Sequence, residues 1–159
     1  MATLHVNGRI HELDFEPHET LAQVLRDRLG LIGVRVSCGE GECGSCTVLL
    51  DGEPATSCLI LAMQAEGREI TTIEGLGNED ALHPIQQAFI DNHGFQCGVC
   101  TPGIILSSKA LLEKNPKPTT DEVMTALNGH ICRCGAYPQI VDSVMCAAER
   151  MGEKCDCKS

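Results

Sequence analysis

Three cysteines and three glycines crowd into the stretch SCGEGECGSCT at positions 37–47. Cys38, Cys43 and Cys46 are spaced C-x4-C-x2-C, and Cys58 follows after eleven intervening residues. This is the plant-type spacing for the ligands of a [2Fe–2S] cluster. Glycine permits positive φ and carries no Cβ, so the loop can wrap closely around inorganic sulfide with its N–H groups pointing at sulfur. The stretch therefore predicts a [2Fe–2S] cluster bound by these four cysteines.

A structural zinc site is the alternative for this first cysteine set. Zinc knuckles favour paired C-x2-C units, and the interval between Cys38 and Cys43 fits such a unit poorly. The spacing therefore favours iron–sulfur over zinc.

A second set of four cysteines lies in the segments FQCGVCTPG and HICRCGAYP: Cys97, Cys100, Cys132 and Cys134. By itself, C-x2-C also suits a thioredoxin-like redox pair or half of a zinc site. Each pair precedes a predicted helix start, and two facing helix N-termini could gather four thiolates and favour their negative charge. The interval between Cys132 and Cys134 is too short for an ordinary zinc knuckle, but spacing alone leaves zinc and iron–sulfur equally open.

Cysteine usage also bears on the compartment. The 159-residue chain has eleven cysteines, an odd number, and it begins MATLHVNGRI, without the charged start and apolar run of a secretory signal. We therefore expect a cytoplasmic location, where clustered cysteines bind metal or do redox chemistry rather than form disulfides.

Charge and aromatic content restrict the partners. Twelve Lys and Arg against 22 Asp and Glu give a net charge of −10, and the aromatics are three Phe and one Tyr. An acidic chain with so few aromatics argues against nucleic acid and anionic membrane surfaces as partners. No apolar stretch has the length that membrane insertion requires.

Turn and capping signals predict a β-rich first half and a helical second half. The first half is expected to hold a hairpin at 3–15 around Asn7-Gly8, a helix between Thr20 and Gly30, a strand at 47–50 with a turn at Asp51-Gly52, and a strand at 69–73. The second half is expected to hold helices at 84–93, from a Thr101 cap to Lys114, at 123–127 behind a Thr119/Glu122 capping box, and from Pro138 onward.

The motifs CGEGECGSC, QCGVCTPG and ICRCGAYP, in this order and in a chain of this length, resemble the small iron–sulfur subunit of the molybdenum hydroxylases, the xanthine dehydrogenase-type family. The resemblance implies an α+β fold, with an N-terminal β-grasp (plant-type ferredoxin-like) domain followed by a C-terminal four-helix bundle domain. The expected division is 1–75 for the first domain, 76–82 for a linker, 83–152 for the second domain and 153–159 for a mobile tail. Each domain would bind one [2Fe–2S] cluster.

The resemblance also implies a role in electron transfer. Electrons would pass one at a time from a molybdopterin centre, in a dinucleotide form, through the second cysteine set and then the first to FAD. By similarity, Gln96 would hydrogen-bond the pterin, and Cys134 would be both a cluster ligand and a bridge towards the pterin. A large molybdopterin-binding subunit and an FAD-binding subunit would be the partners, in a dimer of heterotrimers. No catalytic residue is expected on this chain, which has no recognisable catalytic triad or phosphate-binding loop.

Two other functions stay open at this point. The first is a free-standing two-cluster ferredoxin-type carrier, and the second is a zinc-stabilised interaction module without redox activity. The helical half favours the subunit, because a simple carrier needs only the ferredoxin half.

Several residues near the second set have more than one interpretation. On its chemistry alone, Gln96 is an ordinary polar loop residue. Phe95 and Tyr137 suit an interface, although Phe95 suits a core equally well. Arg133 could raise a cluster potential or pair with a partner carboxylate. His130 suggests a Rieske-type ligand, but eight cysteines already supply two full sets.

Three cysteines lie outside both sets. Cys146 is expected to be a small buried residue in the last helix. Cys155 and Cys157 are expected to belong to a solvated chain end rather than to a metal site.

Overall fold

A computed structural model describes residues 2–78 and 80–153 of the chain. Its first half contains one five-stranded mixed sheet in the order β2-β1-β5-β3-β4. Strand β1 pairs with β2 antiparallel and with β5 parallel, and β3 pairs antiparallel with β4 and β5. The strands are β1 Ala2–Val6, β2 Arg9–Leu13, β3 Thr47–Leu50, β4 Glu53–Thr56 and β5 Glu69–Thr71.

Both predicted hairpin turns are confirmed. Asn7 and Gly8 have φ of 52° and 73°, and Asp51 and Gly52 have φ of 53° and 83°. Positive φ at both central residues matches the twist of the flanking strands, which is why Asn-Gly and Asp-Gly occur there.

The helix predicted between Thr20 and Gly30 is present, but only its first residues are α-helical. It begins as α1, Leu21–Gln23, behind the predicted Thr20/Gln23 capping box, and continues as a π-helical stretch, Val24–Arg28. The Leu29 N–H donates to Val24 O, while Leu25 O accepts from the Leu31 N–H beyond the helix end. The last turn widens because that carbonyl already has a partner.

The second half contains four helices, α2 Pro84–Asp91, α3 Thr101–Lys114, α4 Thr120–Ala126 and α5 Tyr137–Glu153. Helix α2 packs along α5, and their buried side chains Ile85, Phe89, Ile140 and Val144 form the centre of one core. Together with the sheet these helices give the α+β fold expected.

Helix α3 covers the face of the sheet opposite α1. Along β3, Val48 and Leu50 point into the core shared with α1, whereas Leu49 packs against Leu106 and Ala110 of α3. Strand side chains alternate between faces, so all four residues of β3 are buried. The start of α3 lies beside both cysteine sets, because Cys100 is its N-cap and Gly103 in its first turn packs against Gly44.

Some predicted boundaries were wrong. The N-cap of α3 is Cys100 rather than Thr101, and it has no side-chain cap bond, because Thr101 is already in the helix. Strand β5 ends at Thr71, since residues Ile73–Gly75 form a 3-10 turn rather than the predicted end of the strand.

The remaining differences concern the last two helices and the chain end. Helix α2 ends at Asp91, two residues earlier than expected, and α5 begins at Tyr137. Cys146 is half-buried rather than buried and contacts the Arg150 guanidinium. Cys155, Cys157 and the rest of the predicted tail beyond residue 153 lie outside the described residues.

Candidate functional site

The first cysteine set forms two pairs of thiols. Cys38 is in hydrogen-bonding contact with Cys43 in the glycine-rich loop. Cys46, directly before β3, is in the same contact with Cys58, which follows β4. The antiparallel pairing of β3 and β4 therefore brings Cys58 back to the loop.

The glycine-rich loop points backbone donors at an exposed sulfur. Gly39, Gly41 and Gly44 have φ of 70°, 81° and 69°, a conformation that side chains strain. The Glu40 N–H donates to Cys38 Sγ at 3.4 Å. Together with donors from the loop at Cys43 and Glu42, it lowers the pKa of Cys38 to about 7. The loop therefore stabilises a thiolate at this position.

The second pair of this set is buried. Cys46 is 2% exposed, and burial raises its pKa to about 11. A thiolate removed from water needs a positive partner, which a bound iron would supply.

The second set has the same division into an exposed edge and a buried edge. Cys97 is in hydrogen-bonding contact with Cys134, and Cys100 with Cys132. The Val99 N–H is the main cause of the lowered pKa of Cys97. Burial raises the pKa of Cys100 to about 12. For Cys132, burial opposes ionisation, but the N–H groups of residues 134–136 lower its pKa overall.

The pairing of the thiols in each set is compatible with a [2Fe–2S] cluster. Across residues 2–78 and 80–153, no three His, Cys, Asp or Glu side chains converge as ligands of one metal ion. Four cysteines held as two pairs can supply the four thiolates that bind a [2Fe–2S] cluster. Each set, with its thiols and its N–H donors, therefore has the chemistry to hold a [2Fe–2S] cluster.

The thioredoxin-like alternative for the second set does not agree with this geometry. Cys97 and Cys100 have hydrogen-bonding partners in the other cysteine segment, Cys134 and Cys132 respectively, whereas a thioredoxin-like pair needs only its own two cysteines. The C-x2-C spacing alone does not indicate this crosswise pairing, which depends on the tertiary packing of the helices that follow the two segments.

The two cysteine sets are in direct backbone contact. The Ile131 N–H, next to Cys132, donates to the Cys43 carbonyl at 3.0 Å. On the other side, Gly103 of α3 packs against the Gly44 carbonyl so closely that a Cβ would collide with it. One hydrogen bond thus connects Cys43 of the first set to Ile131, the residue that precedes Cys132 of the second set.

Gln96 and the aromatics expected at an interface lie on the surface. Gln96 is exposed beside Cys97, and Arg133 is exposed between Cys132 and Cys134. Phe95 is 41% exposed and Tyr137 43% exposed, which places Phe95 outside the core. The surface beside the second set is therefore open to a partner.

Two side chains near the second set, Tyr137 and His130, make hydrogen bonds that the sequence did not predict. The Tyr137 hydroxyl accepts from the Cys132 N–H at 2.8 Å, and His130 Nε2 lies 2.8 Å from Ser107 Oγ. His130 is 9% exposed, and burial lowers its pKa. The Tyr137 contact spans five residues and the His130 contact 23, and no capping or turn pattern indicates either.

Within the part of the chain that the structure describes, no helix has the length and apolar character needed to cross a membrane.

Two families match the chain and together cover most of it. The 2Fe-2S iron-sulfur cluster binding domain matches residues 4–73, and the [2Fe-2S] binding domain matches residues 72–145. Each half is thus similar to a different family of iron–sulfur proteins.

Relatives from bacteria match nearly the whole chain. The nicotine 6-hydroxylase small subunit of Paenarthrobacter nicotinovorans is 46% identical over 95% of this chain and 91% of its own. The aldehyde oxidoreductase iron-sulfur-binding subunit PaoA of Escherichia coli K12 is 45% identical over 92% of this chain and 70% of its own.

A crystal structure extends the likeness to three dimensions. Quinoline 2-oxidoreductase from Pseudomonas putida 86 contains a chain that superposes with a TM-score of 0.90 at 42% identity, covering 96% of both chains. Sequence and fold agree over the same length. The protein therefore belongs to the family of small [2Fe–2S] iron–sulfur subunits of the molybdenum hydroxylases, which are oxidoreductases of the xanthine dehydrogenase type.

Proposed function

We propose that this chain is the electron-transfer subunit of a heteromeric molybdenum hydroxylase and binds two [2Fe–2S] clusters. The thiols that pair in each half are the proposed ligands. They are Cys38, Cys43, Cys46 and Cys58 for one cluster, and Cys97, Cys100, Cys132 and Cys134 for the other.

One contact carries this proposal: the hydrogen bond of 3.0 Å from the Ile131 N–H to the Cys43 carbonyl. Ile131 is bonded covalently to Cys132, so a single hydrogen bond completes a route from one ligand set to the other. Separate metal sites that only stabilise the fold have no need for such a connection.

The burial of the thiols suits a relay with two accessible ends. A [2Fe–2S] cluster, when bound, accepts one electron at a time, so two in series divide a two-electron oxidation into single steps. Cys46, Cys58, Cys100 and Cys132 are all less than one-tenth exposed and keep water away from the inner sides of both sites. Cys38 and Cys97 are exposed and mark the outer edges of the relay.

The partners follow from the exposed edge of the second set. We place the molybdopterin, in its dinucleotide form, on a large partner subunit, with Gln96 hydrogen-bonded to it and Cys134 between it and the second cluster. The exposure of Gln96 and Phe95 supports a partner here. We place FAD on a further subunit beside the first set, in a dimer of heterotrimers. Similarity to chains named small subunit supports a multi-subunit assembly.

The finer description of the fold belongs to the same proposal. We assign residues 1–75 to a β-grasp domain, 76–82 to a linker and 83–152 to a four-helix bundle. We also place the chain in the cytoplasm, where reducing conditions keep clustered cysteines available as metal ligands.

Replacing one ligand tests the two-cluster proposal. In Cys97→Ser, we expect electron paramagnetic resonance of the reduced chain to lose one of two [2Fe–2S] signals, with iron content falling to about half. Cys146→Ser is the matched control, because Cys146 lies in α5 outside both sets, and it should keep both signals. Loss of neither signal in Cys97→Ser would show that the ligand assignment is wrong.

Purification from the native host separates the subunit from a free-standing carrier. We expect the chain to emerge with a larger molybdenum-containing polypeptide. A chain that emerges alone, without molybdenum, would contradict the subunit function and favour the carrier.

A further inference from the structure

The Tyr137 hydroxyl lies between two backbone groups of the second cysteine loop. It accepts a hydrogen bond from the Cys132 N–H at 2.8 Å and donates one to the His130 carbonyl at 3.3 Å. Tyr137 is the first residue of α5, so its ring is carried by a helix end rather than by a loop. The hydroxyl therefore ties the start of α5 to residues 130–132.

A second tether holds the same segment from α3. His130 Nε2 lies 2.8 Å from Ser107 Oγ, and both residues are buried. The His130 ring also packs against the first cysteine loop, because a Cβ on Gly44 would collide with Nδ1. The segment is thus held by α3 and by α5.

Ile131, between the two tethers, is not held by its own side chain. That side chain is 56% exposed, yet the Ile131 N–H makes the 3.0 Å bond to the Cys43 carbonyl. So exposed a side chain adds little packing, and the position of the Ile131 backbone therefore depends on its neighbours. Those neighbours are His130 and Cys132, the two residues to which the tethers bind.

We propose that Tyr137 and the Ser107–His130 pair are positioning groups for electron transfer, which hold residues 130–132 so that the Ile131 to Cys43 hydrogen bond persists. This inference rests on the proposed function, because the bond matters as a route only if both cysteine sets bind clusters. None of the three side chains is a proposed ligand. Their effect passes through the backbone that they hold.

Amide hydrogen exchange of the full chain, with iron and sulfide incorporated, tests the Tyr137 tether. Tyr137→Phe removes only the hydroxyl, and we expect exchange at the Ile131 and Cys132 amides to become roughly two- to tenfold faster, as for loss of one ordinary hydrogen bond. Thr125→Val is the matched control, because it removes a hydroxyl that donates to the Asp121 carbonyl at 2.8 Å on the exposed side of α4. It should leave these amides unchanged.

Paramagnetic resonance supplies a second readout, which a general loss of stability would not reproduce. The signal that Cys97→Ser removes belongs to the second set, and Tyr137→Phe is expected to shift the g values of that signal while leaving the other in place. Wild-type exchange at both amides in Tyr137→Phe would overturn the inference. A change confined to the first-set signal would overturn it as well.

If Tyr137→Phe fails to fold and loses both signals, Ser107→Ala tests the same inference. It removes the tether on the α3 side, so we expect faster exchange at Ile131 with both signals present. Exchange equal to that of the wild type would overturn the inference. A wild-type chain with fewer than two signals would instead contradict the proposed function, and the exchange comparison would still decide whether the tethers hold the segment.

Discussion

Gly103 of α3 and Gly44 of the first cysteine loop pack directly against each other. Gly103 lies in the first turn of α3, and the atom nearest to its missing Cβ is the Gly44 carbonyl oxygen, which belongs to the backbone. Gly44 itself has φ of 69°. A Cβ on Gly44 would lie only 2.6 Å from the Gly129 carbonyl oxygen. Two glycines thus allow two backbones to pass at a distance that any side chain would prevent.

We predict that Gly103→Ala destabilises the chain by roughly 1–3 kcal/mol, the usual cost of overpacking a close contact. Rotation of a side chain cannot relieve this collision, because the atom that it meets is backbone. Urea unfolding measures the change. Gly152→Ala is the control in α5, where no atom lies within 4 Å of the added Cβ, and it should stabilise slightly through helix propensity. Equal effects of the two variants would contradict the predicted contact.

His130 gives the chain a pH dependence. Burial lowers its pKa from 6.5, so the folded chain binds a proton at this site less readily than the unfolded chain does. The contribution of neutral His130 to stability is therefore complete above pH 6.5 and is lost as the pH falls below it. We expect the thermal midpoint to fall on acidification through this range, and His130→Gln to reduce that fall. His18→Gln, at an exposed position, should not reduce it.

The cysteine spacing predicted which residues would come together but not how they would pair. Cys97 contacts Cys134 and Cys100 contacts Cys132, and each of these pairs joins segments more than 30 positions apart in the chain. The tether from Tyr137 to Cys132 depends on where α5 begins. Sequence could thus indicate the members of each set, whereas the packing of the helices determines their arrangement.

Among the helices and strands, the predictions that the structure confirms rest on contacts between residues a few positions apart. The Thr119/Glu122 capping box is formed as predicted, with the Glu122 N–H donating to Thr119 Oγ1 at 3.3 Å and the Thr119 N–H donating to Glu122 Oε2 at 2.7 Å. Partners three residues apart need no tertiary structure to find each other. The parallel pairing of β1 with β5 joins residues more than 60 positions apart, as in His5 with Glu69, and no local signal could indicate it.

Thr119→Ala should remove the cap of α4 and destabilise the chain by about 1 kcal/mol, the typical effect of losing an N-cap side chain. Chemical denaturation provides the measurement. Thr120→Ala changes the next residue, an exposed threonine inside the helix, and should have little effect. A loss as large in Thr120→Ala would mean that Thr119 is not the cap.

Across the whole molecule, α3 joins the two halves that sequence divides at residues 76–82. Its Leu106 is 1% exposed and packs with Leu49 of the sheet, while its N-cap residue, Cys100, belongs to the second cysteine set. The change from strands to helices was visible in the sequence, because it is a change of periodicity. The contact between the halves was not visible in the sequence, because Leu106 resembles any other apolar residue of a buried helix.

The central claim is that eight of these cysteines bind two [2Fe–2S] clusters. Iron and acid-labile sulfide analysis, made on protein isolated without oxygen and with its visible spectrum recorded, tests that claim most directly. The account predicts a coloured protein with about four irons and about four sulfides per chain. A colourless chain that contains zinc and no iron would contradict it.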